Sequence, residues 1–129
     1  MKRKGFTLLE ILVVVSIVAM LTIIALPDLL KARIIVDDVI AQATLKTIGT
    51  SMENYLTDHE TYPLASDDLI TPTPSYLNKN FFTGTHFGYT FSGTFGADEY
   101  TIVATPVIIG QTGTTTYAIT TGAVLLTGS

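Results

Sequence analysis

Residues 4–27 read KGFTLLEILVVVSIVAMLTIIALP, and this stretch decides how the rest of the chain is interpreted. Within it, residues 6–26 are apolar or mildly polar apart from one acidic residue, Glu10. A helix over that run would be about 30 Å long, which is the thickness of a bilayer core. The stretch therefore predicts a membrane-spanning helix over residues 6–27 that carries a single carboxylate.

The flanking charges predict the orientation of this helix. Lys2, Arg3 and Lys4 come directly before the apolar run. An excess of positive charge holds one end of a spanning segment on the cytoplasmic side. We therefore expect an N-in, C-out topology, with residues from about 28 onward outside.

Glu10 separates this segment from two ordinary classes of N-terminus. A secretory signal has a shorter apolar region followed by a small-residue cleavage site, and a simple anchor has no need of a carboxylate. An ionisable group inside the membrane costs a few kcal/mol and is by default a functional-site candidate. The sequence predicts a cationic partner for Glu10 at the same depth.

The stretch closely resembles the N-terminus of type IV prepilins and type II secretion pseudopilins over roughly residues 1–32. The shared elements are a short basic leader, Gly5, Phe6 as the new N-terminus, Glu10 four residues later and Pro27 at the end of the apolar run. The resemblance implies that a prepilin peptidase removes the leader peptide, residues 1–5, between Gly5 and Phe6. It also implies N-methylation of Phe6 by a methyltransferase.

The same resemblance implies an assembly role for Phe6, Glu10 and Pro27. After cleavage, the amine of Phe6 would lie near Glu10 of a neighbouring subunit in the filament core. Opposite charges about 4 Å apart attract by roughly 4 kcal/mol at an effective dielectric of 20, which offsets the insertion cost. Pairing of Glu10 with its own Phe6 amine remains an alternative. Pro27, which removes one backbone donor, is the place where the helix could bend or stretch.

Length and composition limit the remaining possibilities. The 129 residues allow one head domain, residues 28–129, beyond the apolar helix. The net charge of −4 argues against nucleic acid as a partner, because a basic surface is required for nonspecific binding. The chain has 0 cysteines, so the domain must be stabilised by packing rather than by disulfides.

The first part of the head domain predicts an amphipathic helix over residues 28–58. Apolar residues recur there in steps of three and four, which places them on one helix face. Gly49 lies within this pattern and indicates either close packing or a local bend. The apolar face consists of Ala41, Leu45, Ile48, Met52 and Tyr55.

A loop over residues 59–86 and an antiparallel sheet over residues 87–129 are predicted to follow. The loop contains three prolines and a short helical turn at residues 67–70. Tyr100, Ile102 and Ala104 alternate with polar or half-polar residues and are expected to face the helix. Glycines separate four predicted strands, at residues 87–91, 99–105, 114–120 and 123–126. The predicted fold class is α+β and pilin-like: a long N-terminal helix packed on a small antiparallel sheet.

The sequence offers little for catalysis or metal binding. His59 and His86 are far apart, and no nucleophile motif or phosphate loop occurs, so we expect no catalytic site, no metal site and no cofactor. Some major pseudopilins bind calcium through a C-terminal acidic loop. After Glu99 this chain has no carboxylate side chain, which argues against that site. The chain is expected to be a substrate of enzymes rather than an enzyme.

The function favoured by the resemblance is a structural subunit of a type IV pilus, stored in the inner membrane and moved into a cell-surface filament. Its expected partners are other copies or other pilins, the prepilin peptidase and methyltransferase, and an inner-membrane assembly platform. A pseudopilin in a periplasmic type II secretion pseudopilus is the alternative. A membrane-anchored binding domain, which would keep residues 1–5, is a further alternative from another class.

Overall fold

The computed structural model describes residues 5–128 and divides the chain into two compact units, Met1–Ala32 and Arg33–Ser129. Helix α1, Leu8–His59, contributes residues to both units. The strands form one four-stranded antiparallel sheet in the second unit. The predicted α+β class is confirmed.

The first unit is a helix whose large apolar side chains are exposed in the single chain. An eighteen-residue window of α1 has a mean hydropathy of 2.8, and the helix is long and apolar enough to cross a membrane. Two hydroxyls within the apolar stretch are satisfied locally, because that of Ser16 donates to the carbonyl of Leu12 and that of Thr22 to the carbonyl of Val18, each at 2.8 Å. The segment can therefore enter hydrocarbon without leaving those hydroxyls unpaired.

The second unit packs the C-terminal part of α1 on the sheet. The sheet is a simple meander in which each strand pairs with the next along the chain. A short helix lies in the connection, as the sequence predicts. The elements after α1 are α2 Asp67–Ile70, β1 Tyr89–Phe95, β2 Tyr100–Pro106, β3 Tyr117–Thr120 and β4 Val124–Thr127.

The core lies between the helix and one face of the sheet. Buried residues alternate with half-buried or exposed ones along β2, and Tyr100, Ile102 and Ala104 face inward. The predicted helix face joins them in one cluster, whose helix members are Ala41, Leu45, Ile48 and Met52. The sequence-based assignment of the inward faces is confirmed for both elements.

Strand β1 is displaced from its predicted position. It was expected at residues 87–91, but it begins at Tyr89 and continues through Gly93 to Phe95. Gly93 pairs with Ile102, and a Cβ there would lie 2.8 Å from the Ile102 side chain and from the Phe95 ring. Gly93 therefore makes room for two apolar side chains within the strand and does not end it.

The later strands also begin after their predicted first residues. Strand β3 was expected from residue 114 but begins at Tyr117, because the Thr114 amide donates to a side chain of α1 instead of to the sheet. Ala123 was expected to open β4. It has a φ of 57° and belongs to the turn that precedes Val124.

Gly49 is a site of close packing between helix and sheet. A Cβ at this position would lie 2.5 Å from Cδ1 of Ile119 and 3.4 Å from the Ala123 side chain. Gly49 itself is buried within α1. Close packing, the first of the two explanations that the sequence allowed, accounts for this glycine.

Candidate functional site

Thr7 and Glu10 form a reciprocal pair at the start of α1. The Thr7 backbone N–H donates to Oε2 of Glu10 at 3.1 Å, and the Glu10 N–H donates to Oγ1 of Thr7 at 3.2 Å. This is a capping box, which satisfies two donors that a helix N-terminus leaves unpaired. The Glu10 carboxylate also lies near the positive end of the helix dipole, which favours a negative charge. Its partner inside the chain is thus the Thr7 amide.

The carboxylate lies on a face that is otherwise apolar. Phe6 is 87% exposed, and its side chain borders a shallow groove together with Glu10, Ile11, Val14 and Val15. A carboxylate oxygen has several lone pairs and can accept further hydrogen bonds. The geometry therefore leaves Glu10 able to accept a second donor while it caps its own helix.

The structure does not require glycine at position 5. Within residues 5–128, a Cβ added to Gly5 would meet no atom within 4 Å. Any requirement for a small residue there must then come from another molecule, such as a peptidase. The predicted leader also includes residues 1–4, which lie outside the described residues, so cleavage between Gly5 and Phe6 stays a prediction.

Pro27 lies inside α1 and not at its end. Helical structure continues on both sides of it, as the sequence predicts from the helix-forming residues that follow. Its predicted role in assembly concerns a rearrangement on packing with other subunits, and that role stays a prediction.

Asp38 attaches the helix to one end of the sheet. Its carboxylate accepts bonds from the Thr114 hydroxyl at 2.6 Å, from the Thr114 amide at 2.9 Å and from the Tyr89 hydroxyl. Burial pushes the pKa of Asp38 up, but the bonds from Thr114 and Tyr89 outweigh it and hold that pKa below its ordinary value. Burial and the bond to Asp38 raise the pKa of Tyr89.

Glu53 attaches the helix to the other end of the sheet. Its Oε1 accepts from the Tyr62 hydroxyl at 3.0 Å, the Tyr100 hydroxyl at 3.2 Å and the Gly122 amide at 3.0 Å. Burial, together with the neighbouring Glu53, raises the pKa of Tyr62 and of Tyr100. The two carboxylates thus join the helix to the sheet at two separate places.

Sequence reasoning did not single out Asp38 or Glu53. A signal existed for the first of them, because Asp38 lies three residues before Ala41 and extends the buried helix face backward. A carboxylate on such a face needs donors from the opposing element. Glu53 follows the buried Met52 and gives a weaker signal, since that position is half-buried.

Comparison with known proteins gives an independent view of the N-terminal segment. A family model described as the prokaryotic N-terminal methylation motif matches residues 1–26. The match covers Gly5 and Phe6, and also Thr7 and Glu10, which form the cap of α1.

Two curated proteins are similar over longer stretches. Competence protein ComGC of Halalkalibacterium halodurans is 35% identical over 67 residues, which is 52% of this chain and 66% of that protein. The type IV wide pilus major component PilA4 of Thermus thermophilus is 39% identical over 59 residues, which is 46% of this chain and 45% of that protein. The matches therefore span just under two thirds of one relative and under half of the other. The N-terminal motif, the helix-on-sheet fold and these relatives together support a type IV pilin-like family for this chain.

Proposed function

We propose that this protein is a structural subunit of a type IV pilus. It is made as an inner-membrane precursor with its N-terminus in the cytoplasm, cleaved after Gly5 and N-methylated at Phe6. It then joins other pilin subunits in a filament through its apolar helix. In this proposal the chain is acted on by a peptidase, a methyltransferase and an assembly platform, and it has no catalytic activity of its own.

The observation that carries the proposal is the setting of Glu10. A carboxylate stands on an exposed apolar helix face, satisfied on one side by the Thr7 amide and open on the other. The free amine created at Phe6 of a second subunit is a cation of suitable size at the same depth. Assembly through that pair would compensate the charge while the helices bury their apolar surface against each other.

Two features support a pilus over a secretion pseudopilus. One relative is itself described as a type IV wide pilus major component. The chain also lacks tryptophan and has no acidic residue after Glu99. Secretion pseudopilins tend to carry a tryptophan and an acidic loop late in the chain. Immunogold labelling distinguishes the two, because a pilus subunit is expected in filaments beyond the outer cell surface and a pseudopilin is expected beneath it.

Processing is tested with substitutions at Gly5. Gly5→Leu should leave uncut precursor in the membrane, because a Cβ at this position meets no atom of the described residues and a failure would then lie in recognition by the peptidase. Gly5→Ala, a small replacement, is the matched control and should be cut more readily. N-terminal mass spectrometry checks both. Residues 1–5 found intact on assembled wild-type filaments would exclude a processed pilin and favour the membrane-anchored binding domain.

Assembly is tested with two substitutions at Glu10 that separate its two possible roles. Glu10→Gln keeps an acceptor for the capping box but removes the charge, whereas Glu10→Ala removes both. Both variants should insert and be cleaved, and both should enter filaments poorly, because each lacks attraction for a Phe6 amine. Yields of sheared filaments measure this. Normal assembly of Glu10→Gln would show that Glu10 acts only as a helix cap, and the charge-pair proposal would be abandoned.

A further inference from the structure

A strained turn at one end of the sheet exposes an aromatic side chain. Residues 86–89 form a two-residue hairpin turn, closed by bonds of 2.8 and 3.0 Å between His86 and Tyr89. Phe87 and Gly88 have φ values of 51° and 77° at its centre. Asn, Asp or Gly normally fills the first of these positions, because a bulky residue is strained at positive φ. Phe87 is nevertheless 57% exposed, so burial in the core does not account for its presence.

A second loop brings more apolar side chains to the same place. Val107, Ile108 and Ile109 follow β2, and all three are exposed, Ile109 by 73%. The Val107 amide donates to the Gly88 carbonyl at 2.9 Å, which places this loop beside the Phe87 turn. We refer to Phe87, Val107, Ile108 and Ile109 as the loop-end patch.

The loop-end patch lies at the end of the second unit where the chain enters it. The patch adjoins Tyr89 and Pro106, which pair with each other, and Tyr89 bonds to Asp38. Asp38 comes five residues after Arg33, where this unit begins, and the apolar segment ends only a few residues earlier. The patch therefore lies at the end of the second unit where the chain arrives from the apolar segment.

Charge is distributed unevenly between the two ends of this unit. Residues 83–89 and 107–116, which form the two loops, contain no Asp, Glu, Lys or Arg. Most carboxylates gather instead around the C-terminal end of α1 and the β1–β2 turn, where Tyr62 bonds to Glu53 and to the Ala97 carbonyl and Tyr76 bonds to Asp58. Asp38 also lies near the patch, but its carboxylate is directed inward to Tyr89 and Thr114. The two loops that form the patch are thus uncharged and would be repelled little by an anionic lipid surface.

We propose that the loop-end patch rests on the outer leaflet of the inner membrane while the precursor is stored there. The proposal builds on the membrane-anchored stage of the proposed function and adds a second contact with lipid. Phe and Ile side chains at loop tips enter the boundary between headgroups and acyl chains, and the surrounding Thr residues and Gln111 suit the headgroups. On assembly the contact with lipid is given up.

A lipid surface fits the patch better than a second copy does. Four side chains on two loop tips form a much smaller surface than the roughly 800 Å² per partner of a stable protein interface. A weak contact is nevertheless populated when the spanning helix already holds the head at the membrane, because tethering gives a high effective concentration. Lipid also needs no matching hydrogen-bond pattern, and the exposed side chains in the patch are apolar.

The absence of tryptophan from the sequence allows a direct test with single-tryptophan variants. The full-length precursor is reconstituted in vesicles of phosphatidylethanolamine and phosphatidylglycerol, with or without lipids brominated near the top of the acyl chain. Ile109→Trp and Phe87→Trp report on the patch. Leu64→Trp, at an equally exposed apolar position beside Asp68, reports on the other end of the unit. Val15→Trp reports on the spanning helix and uses lipids brominated at mid-chain.

The proposal predicts that the fluorescence emission of both patch tryptophans shifts to shorter wavelength and that bromines near the top of the acyl chain quench roughly half of it. The emission of Leu64→Trp should be unaffected. Adding Phe87→Asn, a residue suited to the positive φ, should weaken the quenching of Ile109→Trp without unfolding the head. Patch tryptophans that stay unquenched and water-exposed would overturn the proposal. A blue shift that appears only at high protein-to-lipid ratio, without bromine quenching, would overturn it in favour of contact between copies.

The tryptophan in the spanning helix distinguishes loss of the patch contact from loss of membrane anchoring. If Val15→Trp is quenched at mid-chain but the patch tryptophans are not, the anchored precursor stands and only the lipid contact of the patch fails. If Val15→Trp is not quenched either, the membrane-anchored stage of the proposed function fails, and the docking proposal fails with it.

Discussion

The two units of this protein use carboxylates in opposite ways. In the first unit, Glu10 stands on an exposed apolar face and is bonded to the amide of Thr7, three residues away. In the second unit, Asp38 is buried and is bonded to Thr114, which lies 76 residues further along the chain. One carboxylate is satisfied locally and keeps an accessible side. The Asp38 carboxylate accepts three hydrogen bonds within the fold.

This difference shows how a charged side chain on one long helix can serve either assembly or folding. A locally capped carboxylate is tolerated in the membrane while the chain is still single, and it remains available to another molecule. A carboxylate bonded across the fold stabilises the head but has little capacity left for a partner. Substitutions should therefore separate cleanly: those in residues 6–26 alter filament assembly, and those at the helix–sheet contacts alter head stability.

The largest expected effect on stability is that of Asp38→Ala in a fragment containing residues 28–129. We expect this fragment to be soluble, monomeric and folded, because the second unit contains its own core. The substitution removes three hydrogen bonds to a charged acceptor and should lower the free energy of unfolding by about 3 kcal/mol. Urea unfolding measures it.

Asp37→Ala is the matched control for that experiment. It removes a carboxylate from the same turn of α1 at a half-buried position, and it should change stability by less than about 1 kcal/mol. Equal losses for the two variants would mean that Asp38 acts through helix charge and not through its bonds to the sheet. The contrast between the assembly role of Glu10 and the folding role of Asp38 would then lose its main support.

The next effect in size is a loss of head stability at alkaline pH. Tyr89 and Tyr100 are buried, and burial raises the pKa of each hydroxyl above its unfolded value of 10.0. Above pH 10 the unfolded chain ionises these groups while the folded one does not. Unfolding free energy should then fall by about 1.4 kcal/mol per pH unit for each tyrosine. Urea midpoints measured between pH 8 and 11, as a rough range, check this.

The acid side of the same profile depends on Asp38. Its folded pKa lies below the ordinary value of 3.8, so its stabilising contribution is present above that value and is lost as the pH falls through the folded pKa. Asp38→Asn should flatten this part of the profile, since the amide does not titrate. An unchanged acid limb in that variant would assign the loss to other carboxylates.

Overpacking at Gly49 should have a smaller effect. Gly49→Val places atoms where Ile119 Cδ1 now lies and should destabilise the head by roughly 2 kcal/mol. Ile119→Val removes that terminal methyl, so the double variant should recover part of the loss. Thermal unfolding of both single variants and the double variant gives the coupling free energy between the two positions. Additive losses would show that the two residues do not compete for the same space.

The periodic parts of the fold were predictable from the sequence. The steps of three and four from Ala41 to Tyr55 and the alternation along β2 both follow from how an element with one buried face must be patterned. The extension of β1 was missed because Gly93 was taken as a strand end. Whether a glycine ends a strand or admits a neighbouring side chain depends on the opposing strand, where Ile102 fills the space.

The site was predictable in part. Thr7 and Glu10 have the T-x-x-E spacing of a capping box, so the bond from the Thr7 amide was predictable. A carboxylate inside a membrane segment also predicts a cationic partner, and the nearby backbone amide was missed for that reason. The roles of Asp38 and Glu53 depend on donors such as Thr114 and Gly122, far along the chain. Local pattern does not reveal such pairs, because they are created by the docking of helix on sheet.

The smallest expected effect on stability is a gain, and it tests whether Phe87 serves the head at all. Phe87→Asn should stabilise the 28–129 fragment by up to about 1 kcal/mol, because Asn adopts positive φ with less strain than Phe. His86 and Tyr89 keep the turn closed in either case, since their mutual bonds are between backbone groups. Thermal unfolding measures the change, with Phe87→Trp as a control of unchanged strain. A loss of stability in Phe87→Asn would mean that the ring packs within the head, and Phe87 would then belong with Asp38 among the residues that serve the fold. A gain would place it with Glu10, among the residues whose purpose lies outside the single folded chain.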